Sequence, residues 1–286
     1  MDFFYSVVQL HFTIGRNYVT KHGEIIPSNM RSLISTRYQT ITCAVIMEFW
    51  NSSSNSAHSL YVGSYGRGTA IDTSDIDILV EVPESNYRRY DTLKGNGQSR
   101  LLQAVRNALL SSYPRTDIRA DGQVVKVLFS DGMKMEVLPA FRKPSYISTM
   151  DEYTYPDTNN GGCWLSTNPK AEQEALRLKN NTSFGLLFDT CKHIRFIRDN
   201  YFSSYHLSGI VIDSFVFNAI SGWQWTQDGD SSSTALGTYE ESLLQKYYTI
   251  FPSKYYATIQ APGSNQTIDA SSSVECLEKV LRFMAK

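Results

Sequence analysis

Asp75 and Asp77 flank a single isoleucine, shortly after the pair Gly63-Ser64. In an extended chain, residues two apart point the same way, so the two carboxylates share one face of a strand. The strand is written by Ile76 through Val82, a run rich in β-branched residues. Two hard oxygen ligands side by side make a Mg²⁺ site, because that ion takes carboxylate, water and substrate phosphate oxygens. Mn²⁺ suits the same donors. Gly63-Ser64 closes a short buried strand, Leu60 to Val62, with a turn that has no bulky Cβ to keep a triphosphate from backbone N–H groups. The Ser64 hydroxyl adds a donor. Such a set can transfer a phosphoryl group.

An in-line displacement assisted by two ions about 3.5 to 4 Å apart requires a further ligand on the ion that activates the attacking hydroxyl. Glu136 is the candidate. Val124 to Phe129 and Met133 to Leu138 are strand-like runs joined by Ser130-Asp131-Gly132, which signals a tight hairpin. Glu136 lies between Met135 and Val137, a charge in a strand whose alternate positions read as buried. Each acid alone fits a solvated strand edge as well. Together with Gly63-Ser64 they read as a nucleotidyltransferase site.

Gly63-Ser64, then Arg67 to Ala70, Ser74 to Asp77 and Glu136 to Phe141, resemble the bacterial cGAS/DncV-like nucleotidyltransferases (CD-NTases) of the CBASS antiphage systems. Gly161 to Pro169 is similar to the segment by which these enzymes pass from catalytic core to helical half. Phe202 to His206 resembles the nucleotide-contacting segment of animal cyclic GMP-AMP synthase, preceded here by Lys192 on a helix. The resemblance implies an α+β fold. Its mixed-sheet nucleotidyltransferase core, of the DNA polymerase beta-like type, carries a long N-terminal helix, and a C-terminal helical lobe closes a cleft that holds the active site. Residues 1–165 would form the core and 166–286 the lobe.

In this frame Asp75, Asp77 and Glu136 are the catalytic residues and metal ligands, and Gly63, Ser64, Lys192, Ser204 and Tyr205 bind nucleotide. Lys192 would reach across the cleft to the triphosphate as a point charge. Ser204 would open a helix running through Leu207, Ile210 and Val211 and face a phosphate. Tyr205 would stack on a base. The implied reaction joins NTPs, ATP and GTP foremost with pyrimidines admitted, into a cyclic di- or trinucleotide second messenger read by a separate effector. Two other readings stay open: transfer to an RNA 3′ end, small molecule or protein, and an inactive nucleotide-binding module.

Composition narrows the partners. The net charge is −1, whereas a protein that grips a long duplex carries a basic excess that displaces counterions. Stable binding to long nucleic acid is therefore not expected. Cysteines 43, 163, 191 and 276 are scattered, without a Cys-x-x-Cys pair or a histidine at ligand spacing, so a structural zinc site is not expected either. That departs from animal cyclic GMP-AMP synthase. No run approaches the roughly 18 apolar residues of a membrane span, and the first residues lack the basic and apolar regions of a signal peptide. The expected compartment is the cytoplasm.

Periodicity sets the elements that must position these residues. Met30, Leu33, Ile34, Ile41, Val45, Ile46 and Phe49 recur at helical steps after Ser28, an expected N-cap. Asn51 to Ser59 reads as a loop, and Ser99 to Tyr113 as a helix among strands. Beyond Thr167 the chain reads as mostly helical. Asn168-Pro169 supplies a cap and a first-turn proline, Phe184 to Ile197 forms an apolar stripe, and Ser272-x-x-Glu275 is a capping box for the last helix.

Overall fold

A computed structural model describes residues 17–143, 151–227, 229, 232 and 234–286. The first half is a sheet backed by helices. Helix α1 (Ser28–Trp50) leads to β1 (Ser59–Val62), a one-turn helix α2 (Gly63–Gly66), and β2 (Ile76–Glu81). Helices α3 (Glu84–Asp91) and α4 (Gly97–Ser112) precede β3 (Asp117–Asp121), β4 (Val124–Leu128) and the long β5 (Lys134–Lys143). Strands β6 (Glu152–Asp157) and β7 (Cys163–Thr167) complete the sheet. Its order is β1-β2-β5-β4-β3, with β6 and β7 continuing from β5. Among the described residues β2 and β5 pair in parallel, and the other pairs of this sheet are antiparallel.

The period-2 pattern of β2 and β5 divides the sheet into two faces. Ile76, Ile78, Val80, Met135 and Val137 point to α1 and α4, where they are buried against Ile41, Val45, Leu101 and Val105. Asp77, Leu79, Glu136 and Leu138 point the other way. Leu79 joins a smaller apolar cluster there with Val62, Ala140 and Tyr153, packed by Leu138 and Tyr155. The hairpin between β4 and β5 forms where Asp131-Gly132 predicts it, with Phe129 N–H donating to the Met133 carbonyl at 3.0 Å.

The second half is helical: α5 (Pro169–Thr182), α6 (Leu186–Tyr201), α7 (Gly209–Ala219), α8 (Thr238–Ile250) and α9 (Val274–Met284). A small hairpin, β8 (Thr258–Gln260) with β9 (Thr267–Asp269), interrupts this mostly helical half. Asn168 caps α5 as the sequence indicates, its side chain accepting from Ala171 N–H. Ser28 is already the first residue of α1 rather than its cap. The Ser272 capping box does not form: Val274 opens α9, and the hydroxyl of Ser273 instead accepts from Ser208 N–H at 3.1 Å. Leu187, Cys191, Ile194, Val211, Phe215, Leu277 and Leu281 centre the helical core, which also takes in Val19. The segment ahead of α1 thus lies on the helical half. No described helix is long and apolar enough to cross a membrane.

A buried ionic cluster joins the halves. Asp213, on α7, is 0 % exposed. It accepts from Arg67 Nε at 2.8 Å, Thr69 Oγ1 at 2.9 Å and Arg195 Nη1 at 2.7 Å. Arg67 also reaches Glu172 of α5 at 3.3 Å. Burial alone would raise the Asp213 pKa, but the charges and hydrogen bonds of Arg195 and Arg67 overturn it and hold it at about 2. A folded-state pKa below the unfolded one adds stability that is present above the unfolded value, about 3.9, and is lost as pH falls toward 2. Asp213→Asn should cost about 3–5 kcal/mol in urea unfolding at pH 7, because two guanidinium groups lose a buried counter-charge. That gap should hold from pH 7 to about pH 5 and shrink below about pH 4. A variant as stable as the wild type at pH 7 would refute this role.

Candidate active site

Between the open face of the sheet and the helical half lies a cavity of about 660 Å³, lined by Gly63, Ser64, Asp75, Asp77 and Glu136 on one side. Facing them are Arg195 and Arg198 of α6, with His206, Ser208, Gly209 and Ile210 at the start of α7. The parallel register sets Asp77 opposite Glu136. Both follow from the alternation that buries their neighbours. Asp75, one residue before β2, reaches the same cavity.

Gly63 adopts φ +59°, and a Cβ there would stand 1.7 Å from Asp77 Oδ2. The glycine is required by its approach to the carboxylate as well as by the turn it begins. Arg67 N–H bonds back to the Gly63 carbonyl at 3.1 Å, and Thr69 N–H to that of Ser64 at 3.0 Å, closing the turn. Asp77 is pushed up to about 7 by burial, then by the charge of Glu136, with Asp75 adding to this and Arg67 opposing it. Burial likewise raises Glu136. Converging carboxylates that repel one another fit a divalent cation, which relieves the repulsion. Among the described residues no group of three His, Cys, Asp or Glu side chains is placed so as to hold a metal ion by itself. Carboxylate oxygens are the donors that Mg²⁺ takes together with water and phosphate oxygens.

Three sequence-based assignments need correction. Lys192 does not face the cavity: its ammonium donates to the Gly23 carbonyl at 2.6 Å, and burial lowers its pKa. The cause is the segment from Asn17 to Glu24, which crosses α6. There His193 Nε2 donates to the Asn17 carbonyl at 3.1 Å, and Asp189 accepts from His22 N–H at 2.9 Å. Ser204 is exposed and outside the cavity, in a turn closed by Tyr205 N–H to the Phe202 carbonyl at 2.9 Å, so α7 begins at Gly209 instead. Tyr205 is exposed too, its ring lying 4.6 Å from the Lys279 ammonium of α9.

The groups that sequence reasoning missed take those places. Arg195 and Arg198, spaced i, i+3 on one face of α6, line the cavity, and Ser208 with the first turn of α7 lies where Ser204 was expected. Arg198 is held by Asp199 at 2.6 Å and by the Leu207 carbonyl at 3.0 Å. Their sequence signals were the Arg-x-x-Arg spacing and a Ser-Gly pair just before a strongly apolar helix.

The Second Messenger Oligonucleotide or Dinucleotide Synthetase (SMODS) domain matches residues 17–180. No curated protein matches the sequence. Among solved structures, the chain is similar to the CdnE cyclic dinucleotide synthase of Elizabethkingia meningoseptica, at 15% identity and TM-score 0.57, covering 94% of this chain and 93% of that one. It is similar to the CdnE c-UMP-AMP synthase of Rhodothermus marinus at 16% identity and TM-score 0.57, covering 87% and 88%. The Vibrio cholerae di-nucleotide cyclase DncV has 11% identity and TM-score 0.57, with 93% and 90% covered. These likenesses carry the fold alone. Because the SMODS match takes in more than half of the chain, including the turn, all three acids and β7, the protein belongs to the Second Messenger Oligonucleotide or Dinucleotide Synthetase family and is a nucleotidyltransferase.

Proposed function

We propose that the protein joins NTPs, without a template, into a cyclic di- or trinucleotide and releases pyrophosphate. The observation that carries this is the cavity itself, with Asp75, Asp77 and Glu136 on one wall and Arg195, Arg198 and Ser208 on the other. Acids for a metal face cations for a triphosphate across one nucleotide-sized space. The 17–180 domain, whose description names a second messenger, supports the product class. Solved structures of the same fold contain GTP, ATP or their analogues, which supports NTP substrates. The resemblance to CBASS enzymes supports a role in antiphage defence through an effector that reads the product. A net charge of −1 agrees with short substrates rather than long nucleic acid.

Ser64 and the turn behind it receive the terminal phosphates, and Arg198 takes the part that the resemblance implied for Lys192. Arg195 serves chiefly as the partner of Asp213 and keeps the α7 start in place through the Gly209 carbonyl at 3.0 Å. Asp75, Asp77 and Glu136 hold the divalent ions; when bound, these neutralise charge on the reacting phosphate and favour the ionised form of the acceptor ribose hydroxyl. Gly63 keeps the Asp77 carboxylate against the phosphate turn, so donor phosphate and metal ligand share one rigid edge. Electrostatic neutralisation of the developing charge, together with positioning, supplies most of the acceleration in such transfers.

Asp75→Ala with Asp77→Ala should abolish NTP consumption, a loss above about 10³-fold, while circular dichroism shows an intact fold. Retained activity would overturn the metal assignment. Labelled ATP, GTP, CTP and UTP, incubated with Mg²⁺ or Mn²⁺ and the protein alone, should give a phosphatase-resistant product whose mass is that of a cyclic oligonucleotide. Label that transfers only when RNA or another protein is added would favour a different acceptor. Gly63→Ala should lower kcat by about 10²-fold or more, because the new methyl occupies the place of Asp77 Oδ2. Activity within a few-fold of wild type would show that Asp77 need not stay there.

A further inference from the structure

The antiparallel register of β4 and β5 sets Lys126 directly opposite Glu136. The ammonium of Lys126 lies 3.8 Å from Glu136 Oε1 and, at the same time, 2.6 Å from Asp121 Oδ2. One cation is thus shared between an outer carboxylate, with 62% of its side chain exposed, and an inner one, with 27% exposed, that lines the cavity. Other charges frame the pair: Asp75 acts on both Lys126 and Glu136, and Lys134 on Glu136. Arg119, the β3 partner of Lys126 in register, is taken up by Asp117. An ammonium near a carboxylate offers it part of the charge compensation that a divalent ion would.

We propose that Lys126 is an internal competitor for Glu136: it neutralises that carboxylate while the site lacks a second divalent ion, and yields to Asp121 when the ion enters. Lys126 is in this sense a positioning residue that sets how much divalent ion the site demands. The inference rests on the metal assignment made under Proposed function. It also accounts for the open arrangement of the three acids, since Glu136 already has a partner.

The test is Mn²⁺ binding to the full chain without nucleotide, followed by electron paramagnetic resonance of the free ion. Lys126→Met should bind Mn²⁺ three- to tenfold more tightly than wild type, a range set by the partial exposure of the pair. Lys126→Arg, which keeps the charge, should stay within about twofold, and Asp121→Asn, which leaves Lys126 to Glu136 alone, should weaken binding several-fold. Damage to the strand would weaken binding in every variant, whereas competition alone predicts tightening on loss of the lysine. Equal or weaker binding by Lys126→Met, in a protein whose Mn²⁺ binding is lost on Asp75→Ala with Asp77→Ala, would overturn the proposal and leave the function standing. If wild type and that acid variant bind Mn²⁺ alike, the metal assignment falls and this inference with it.

Discussion

The carboxylate of Asp213 is the point on which the two halves hang. It is wholly buried, and a lone ion in that position would cost several kcal/mol or lose its charge. It keeps the charge because Arg67 arrives from the turn that follows β1 and Arg195 from α6. Each arginine is then used a second time, Arg67 on Glu172 and Arg195 on the Gly209 carbonyl. The turn that follows β1, the start of α5, the middle of α6 and the start of α7 are fixed to one another through Asp213, Glu172, Arg67 and Arg195. These are the walls of the cavity, so its shape is a property of the ion cluster before any substrate arrives. Such pre-organisation spares the reaction a reordering cost.

On the sheet side the governing constraint is steric. Period-2 alternation turns Asp77 and Glu136 away from the apolar face, and parallel pairing of β2 with β5 brings them side by side. The absence of a side chain at Gly63 then lets the Asp77 carboxylate press against the turn. The crowding raises the Asp77 pKa to about 7, with burial the largest cause. Electrostatic strain of this kind is tolerable where a bound cation will relieve it, and the Lys126 ammonium already supplies some relief at Glu136.

What the sequence made legible was local. Asp75, Asp77 and Glu136 could be read because strand alternation and a hairpin turn are written within a few residues, and Gly63-Ser64 because a small-residue turn follows an apolar run. The extent of α1 and the Asn168 cap of α5 were readable for the same reason, whereas Ser28 lies inside α1 rather than capping it. Lys192 was misread because its destination depends on Gly23, distant in sequence and close only in the fold. Ser204 and Tyr205 were misread because a turn after Phe202 postpones α7 to Gly209, and the apolar residues from Leu207 onward do not mark that delay. The Arg67–Asp213 pair was not readable because its partners are distant in the chain and meet only in the fold.

The segment that captures Lys192 has a mechanical consequence. Asn17 to Gly23 is stitched to α6 and, through Val19 N–H and Glu240, to α8, while α1 a few residues later packs on the sheet. The stretch from Glu24 to Pro27 therefore works as a short tether between lobes, on a flank of α6 outside the cavity. Any rocking of one lobe against the other to admit a bulky nucleotide must be absorbed within those few residues or must unfasten the stitches. Such a tether limits how far the cleft can open, and in the proposed reaction that would favour turning a linear intermediate within the cleft over releasing and rebinding it.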